Sequence, residues 1–85
     1  MTTDQQALER IVLHAFGLRP MFRRVFLLCD IQGFTVAKAA SILGISAAAA
    51  TARLERARRE MNVRLAVAST LNLDPSSNHS IDSLN

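Results

Sequence analysis

Apolar residues recur at three- and four-residue spacings over most of the first 68 positions. No segment alternates apolar and polar residues with the period of two that a half-buried strand needs. The pattern predicts an all-α, four-helix chain. A first helix, over about 4–16, sets Leu8, Ile11, Val12, Ala15 and Phe16 on one face, with Asp4 near its positive end and Gly17 as its stop. A second helix starts at Pro20, whose missing N–H costs nothing in a first turn. Met21, Phe22, Val25, Phe26, Leu28 and Cys29 form its apolar face, and Gly33 closes it.

Thr35 is placed to cap a short third helix whose residues Val36, Ala39, Ala40, Ile42 and Leu43 pack inward, with Gly44 as the next stop. Ser46 then caps a long fourth helix in which Ala50, Leu54, Ala57, Met61, Leu65 and Ala68 make one continuous stripe. At 1.5 Å per residue this helix runs about 30 Å, so its C-terminal half projects past a three-helix core and stands partly free. From Ser69 the chain turns to Ser, Asn and Asp with Pro75, the composition of a flexible polar tail. The expected organisation is a domain over 1–68 and a tail over 69–85.

A chain of 85 residues and 9.3 kDa has room for one small core. A 49% apolar share with three glycines and one cysteine excludes a collagen-like, disulfide-stapled or wholly disordered chain. Charge is divided unevenly. All ten basic residues precede residue 66, facing Asp4, Glu9, Asp30, Glu55 and Glu60, while the tail carries only Asp74 and Asp82. A basic body fits an anionic partner, nucleic acid before membrane. There is no basic segment leading into an apolar leader, and no uninterrupted apolar run approaches about 18 residues, so a cytoplasmic location without a membrane span is expected. Cys29, inside Val25-Phe26-Leu27-Leu28-Cys29, reads as a reduced core thiol. His14 and His79 lie far apart, on a helix surface and in the tail. With no metal-ligand spacing and no phosphate-cradling glycine loop, neither an enzyme nor a cofactor is expected.

The stretch Phe34-Thr35-Val36-Ala37-Lys38-Ala39-Ala40-Ser41-Ile42-Leu43-Gly44-Ile45-Ser46 is how a helix-turn-helix is written in sequence. Ala40 is small where two helices approach, Gly44 can take a positive φ, and Ile45 fills the gap between the helices. Arg53, Arg56, Arg58, Arg59 and Arg64 follow directly. Arg53, Arg56 and Arg64 share a face with Glu60, off the apolar stripe, where guanidinium groups can clamp phosphates. The competing reading is a solvated face stitched by Glu55–Arg59, Arg56–Glu60 and Glu60–Arg64 pairs, worth a few tenths of a kcal/mol each.

The run Phe26-Leu27-Leu28-Cys29-Asp30-Ile31-Gln32-Gly33-Phe34-Thr35, then Ala39-Ala40-Ser41-Ile42-Leu43-Gly44-Ile45-Ser46, then Ala52-Arg53-Leu54-Glu55-Arg56-Ala57-Arg58, resembles bacterial sigma factor region 4, most closely the extracytoplasmic-function type. Leu18 and Pro20 match the Leu-Pro that opens that domain, so the resemblance spans about 5–66. It implies a four-helix domain that reads minus-35 promoter DNA with its last helix and docks on the flap of RNA polymerase or on an anti-sigma factor. By position it implies DNA contacts at Arg53 and Arg56, with Ser46, Ala47, Ala48 and Thr51 at the DNA-facing end of the recognition helix. Arg23, Arg24 and Arg58 become candidates for contact with polymerase or another protein.

The departures carry as much information. Lys38 stands where the family usually has Glu, which removes the reciprocal half of a Thr–Glu capping box and sets a cation near a positive helix end. Ala50 replaces a larger aliphatic residue and Thr51 a frequent lysine, implying a void and a lost phosphate contact. Ala47, Ala48, Ala49 and Ala50 fill the first turn of the reading helix, and alanine offers a base at most contact with a thymine methyl. Direct readout is therefore expected to be poor, with Arg53 the nearest candidate for a base contact, and binding to rest on phosphates. The family's second region is lacking, so the chain is expected to be either a domain of a longer protein or a stand-alone region 4 that relies on partners. The alternative is a protein-interaction module of the same fold, binding polymerase, an anti-sigma factor or itself as a weak homodimer through the alanine face and the Met61–Leu65–Ala68 stripe.

Overall fold

Four α-helices form in the computed structural model, which describes residues 2–71: α1 (Thr2–Ala15), α2 (Pro20–Phe26), α3 (Val36–Leu43) and α4 (Ala47–Leu71). The all-α expectation holds, and no strand occurs among the described residues. The polar tail lies outside the described residues from position 72 on. The fourth helix runs to Leu71, three residues past the expected limit, because Ser69 and Thr70 continue a helix already propagating.

Local signals account for most boundaries. Pro20 opens α2 at its first position. The second helix does not run unbroken to Gly33, however: after Phe26 it widens into a π-helical segment, Leu27–Ile31, with Gln32 N–H donating to the Leu27 carbonyl at 2.9 Å. Gly33, at φ 84°, then turns the chain, and Phe34 N–H bonds back to the Leu28 carbonyl. Thr35 Oγ1 accepts from Lys38 N–H at 3.1 Å, which is the half of the capping box the sequence retains.

Two clusters make the core, and α4 contributes to both. Val25, Ala39, Ala40, Ala50 and Leu54 form one, with Leu28, Cys29, Val36, Leu43 and Ile45 packed against it. Ala15, Leu18, Phe26, Ala57 and Met61 form the other, flanked by Ile11, Phe22, Leu27, Ile31 and Leu65. The stripe read on α4 is buried at every position except the half-buried Leu65.

Four further expectations are corrected. The C-terminal half of α4 does not stand free, because Ile11 and Ala15 of α1 share a cluster with Met61 and Leu65. The Met61–Leu65–Ala68 stripe is thereby turned inward and is no seam for a second copy. Leu8, Phe16, Met21 and Ile42, assigned to inward faces, are exposed, since α1, α2 and α3 are each covered along only part of the face their periodicity marks. His14, expected on the surface, is half-buried.

Candidate nucleic-acid interface

The turn between α3 and α4 sets the geometry of the interface. Gly44 sits at φ 70°, a left-handed conformation that glycine enters without strain, and Ile45 N–H donates to the Ala40 carbonyl at 3.0 Å, closing α3 as a Schellman motif. Ser46 Oγ accepts from Ala49 N–H at 3.0 Å and starts α4. Ala40 and Ala50 are both enclosed in the cluster beneath the turn, so small residues let the two helices approach closely. Ser46, Ala47, Ala48 and Thr51 are all exposed at the leading end of α4. Unpaired N–H groups and the positive end of the helix dipole make that end favourable for a phosphate.

The arginines divide into two groups. Arg58 Nε and Nη2 donate to the two carboxylate oxygens of Asp30 at 2.8 and 2.6 Å, a bidentate pair linking α4 to the π-helical segment. That hydrogen bonding pushes the Arg58 pKa further up, against a smaller opposing effect of burial. Arg56 Nε donates to Glu60 Oε2 at 2.7 Å, and its guanidinium lies 5.5 Å from the centre of the Phe22 ring. Arg64 Nη2 donates to the Gly17 carbonyl at 2.7 Å, capping the end of α1, and a Cβ at Gly17 would stand 2.5 Å from Arg64 Nη1. Arg23 lies 5.5 Å from the Phe16 ring centre and makes a long contact with the Phe16 carbonyl. By contrast Arg24, Lys38, Arg53 and Arg59 have no side-chain hydrogen bond or ion pair among the described residues. Arg53 is half-buried, and Arg24, Lys38 and Arg59 are exposed.

Measured against the sequence reading, the interface is partly assembled. Ser46, Ala47, Ala48 and Thr51 come together at one exposed end. Arg53 and Arg56 lie on one flank of α4 and Arg58 on the other, as 100° per residue requires. Two exposed residues that the sequence reading passed over share the outer face with Ala48 and Thr51: Ala52 and Glu55. Glu55 entered the sequence reading as a body charge, a residue of the family-like run and a partner for Arg59, not as a site residue. Placing it opposite the Ala50–Leu54–Ala57 stripe on the helix would have shown it facing outward. Cys29, read as a core thiol, is half-buried against the Leu54 cluster, and burial first, then Asp30, pushes its pKa up while Arg58 opposes the shift.

A short capped helix, a left-handed glycine turn and a second helix with its leading end exposed define a helix-turn-helix domain. The family model of sigma-70, region 4, matches residues 18–61, just over half of the chain. The chain belongs to the sigma-70 region 4 family, whose members are DNA-binding domains of transcription initiation rather than catalysts. The match runs from Leu18 to Met61, leaving α1 and the end of α4 outside it. No curated protein and no solved structure matches the chain. Among the described residues no helix is long and apolar enough to cross a membrane.

Proposed function

We propose that this domain, of the extracytoplasmic-function type, lays the leading turns of α4 in the major groove of a minus-35-like promoter element and draws most of its affinity from phosphates. The observation that supports this reading is the end of α4 behind the Gly44 turn, where Ser46, Ala47, Ala48 and Thr51 are all exposed. Ala47 and Ala48 offer only methyl contacts to bases, so the backbone N–H groups of the first turn and Arg53 take up phosphates. Arg56 joins them by exchanging Glu60 for a phosphate oxygen. Arg58 is committed to Asp30 and holds the fold rather than a partner. In this reading the working unit is complete by about residue 68, and the chain beyond it takes no part in the contact.

The test is a salt titration of binding to minus-35-like and random duplexes. Binding should fall steeply with salt, and Arg53→Ala and Arg56→Ala should each reduce the slope by about one unit. Absence of binding at low salt removes the proposal.

A second role has its own support, in apolar side chains left exposed away from α4. Leu8 and Leu13 lie on α1, Phe16 in the turn after it beside Arg23, and Met21 at the start of α2; these exposed apolar side chains, with the exposed Arg24, suit RNA polymerase, its flap in particular, or an anti-sigma factor. Leu13→Asp should weaken binding to purified polymerase while leaving DNA binding unchanged. Equal loss of both would refute separate surfaces.

A further inference from the structure

Resting on the DNA-binding reading above, we infer that Glu55 is the residue through which this domain distinguishes bases, its carboxylate accepting a hydrogen bond from the N4 amino group of cytosine. Counting 100° per residue, Ala48, Thr51, Ala52 and Glu55 fall within about 100° of one another, on the side of α4 away from Ala50, Leu54 and Ala57. All four are exposed. Glu55 lies about 12 Å along the axis from Ala47, within the leading turns that a recognition helix presents to base edges. Ala48 and Ala52 have no polar atom, and the Thr51 hydroxyl both donates and accepts, so it discriminates weakly.

The arginines are displaced from this role. Arg53 is half-buried and sits about 160° around the helix from Glu55. Arg56 is held by Glu60 and the Phe22 ring, and Arg58 by Asp30. Arg59 is exposed one turn behind Glu55, at the spacing where its charge offsets the carboxylate against a polyanion. The Arg58 guanidinium lies close enough to feel the Glu55 charge, yet Glu55 makes no hydrogen bond among the described residues.

The selectivity is largely rejection. A carboxylate facing guanine O6 and N7 or thymine O4 meets only acceptors, leaving a desolvated charge unpaired; adenine sets its N7 acceptor beside the N6 donor and so opposes the second carboxylate oxygen, whereas cytosine presents a donor alone.

The experiment is selection of bound duplexes from a randomised library at one salt concentration, using the full chain as wild type, Glu55→Ala and Glu55→Gln. Wild type should enrich cytosine at one position by a factor on the order of 5. Glu55→Ala should flatten that position alone while binding the pool at least as tightly, because a negative charge has been removed. Glu55→Gln should shift the preference to adenine, which pairs with an amide. A wild type that binds without preferring cytosine, or a preference that survives Glu55→Ala, overturns the assignment and leaves the DNA-binding reading standing. A wild type that fails to bind at low salt overturns both.

Discussion

Along α4, the turns from Ala47 to Leu54 and those from Ala57 to Ala68 bury the same stripe against different neighbours. The first stretch packs on Val25, Ala39 and Ala40 with Leu28, Leu43 and Ile45 beside them, and the second on Ala15, Leu18 and Phe26 with Ile11 beside them. Their surfaces differ as well. Toward the C-terminal end, Arg56, Arg58 and Arg64 are engaged with Glu60, Asp30 and the Gly17 carbonyl, while the leading turns carry alanines, a threonine and Arg53, which has no side-chain hydrogen bond or ion pair among the described residues. Of the α4 arginines, Arg58 and Arg64 bond across the fold and Arg56 bonds along its own helix beside the Phe22 ring, while Arg53 and Arg59 have no side-chain hydrogen bond or ion pair among the described residues. The leading end of α4 offers backbone N–H groups and a thin, apolar face.

The sharpest way to break this comparison is to remove one large side chain from each cluster. Leu54→Ala empties the helix-turn-helix cluster of its largest α4 residue and should cost about 2–5 kcal/mol in urea or thermal unfolding. A matching loss from Met61→Ala would show one cooperative core; a two-step transition would show that the α1 end opens separately. Next in size is Gly44→Ala. Nothing lies within 4 Å of the added Cβ, so the cost is backbone strain at φ 70° alone, about 1–2 kcal/mol, and DNA binding by the surviving folded fraction should be unchanged.

Arg58→Ala should then cost about 1 kcal/mol, the scale of a half-exposed ion pair even with two good hydrogen bonds, and should leave the salt slope of DNA binding as it was. Arg53→Ala should do the reverse, lowering the slope with little change in stability. Identical behaviour of the two variants would erase the division between structural and DNA-facing arginines.

The smallest effect is expected at Cys29, whose raised pKa keeps the folded thiol protonated beyond the ordinary range. Its contribution to stability is present below the pKa of an unfolded cysteine and is lost as pH rises through the folded value. Alkylation at mildly alkaline pH should therefore be slower in the folded chain than in urea.

Much of the fold was legible because its signals are local. Pro20, Thr35, Gly44 and Ser46 act within a turn of themselves, and each forms the start, cap or stop that its chemistry prescribes. The widening at Leu27–Ile31 was not legible, since its apolar pattern suits an α-helix equally well. Neither was the exposure of Leu8, Phe16, Met21 and Ile42, because periodicity marks an apolar face without saying how much of it a neighbour covers. At the candidate site the leading residues of α4 were readable, but Glu55 was hidden by a helical-pair rule that gave it Arg59 as a partner.

By itself the sequence determined the helices, the turn between α3 and α4, the buried stripe of α4 and the poverty of its leading face, all consequences of spacing and side-chain type within a few residues. Tertiary structure decided which charges remain available. Asp30 and Arg58 are 28 residues apart and Gly17 and Arg64 are 47 apart, so no local rule pairs them. They meet because packing of α1, α2 and the π-helical segment on α4 brings a carboxylate and a helix-ending carbonyl within reach of guanidinium donors, which satisfies those groups inside the fold and leaves Arg53 and Arg59 for the solvent side.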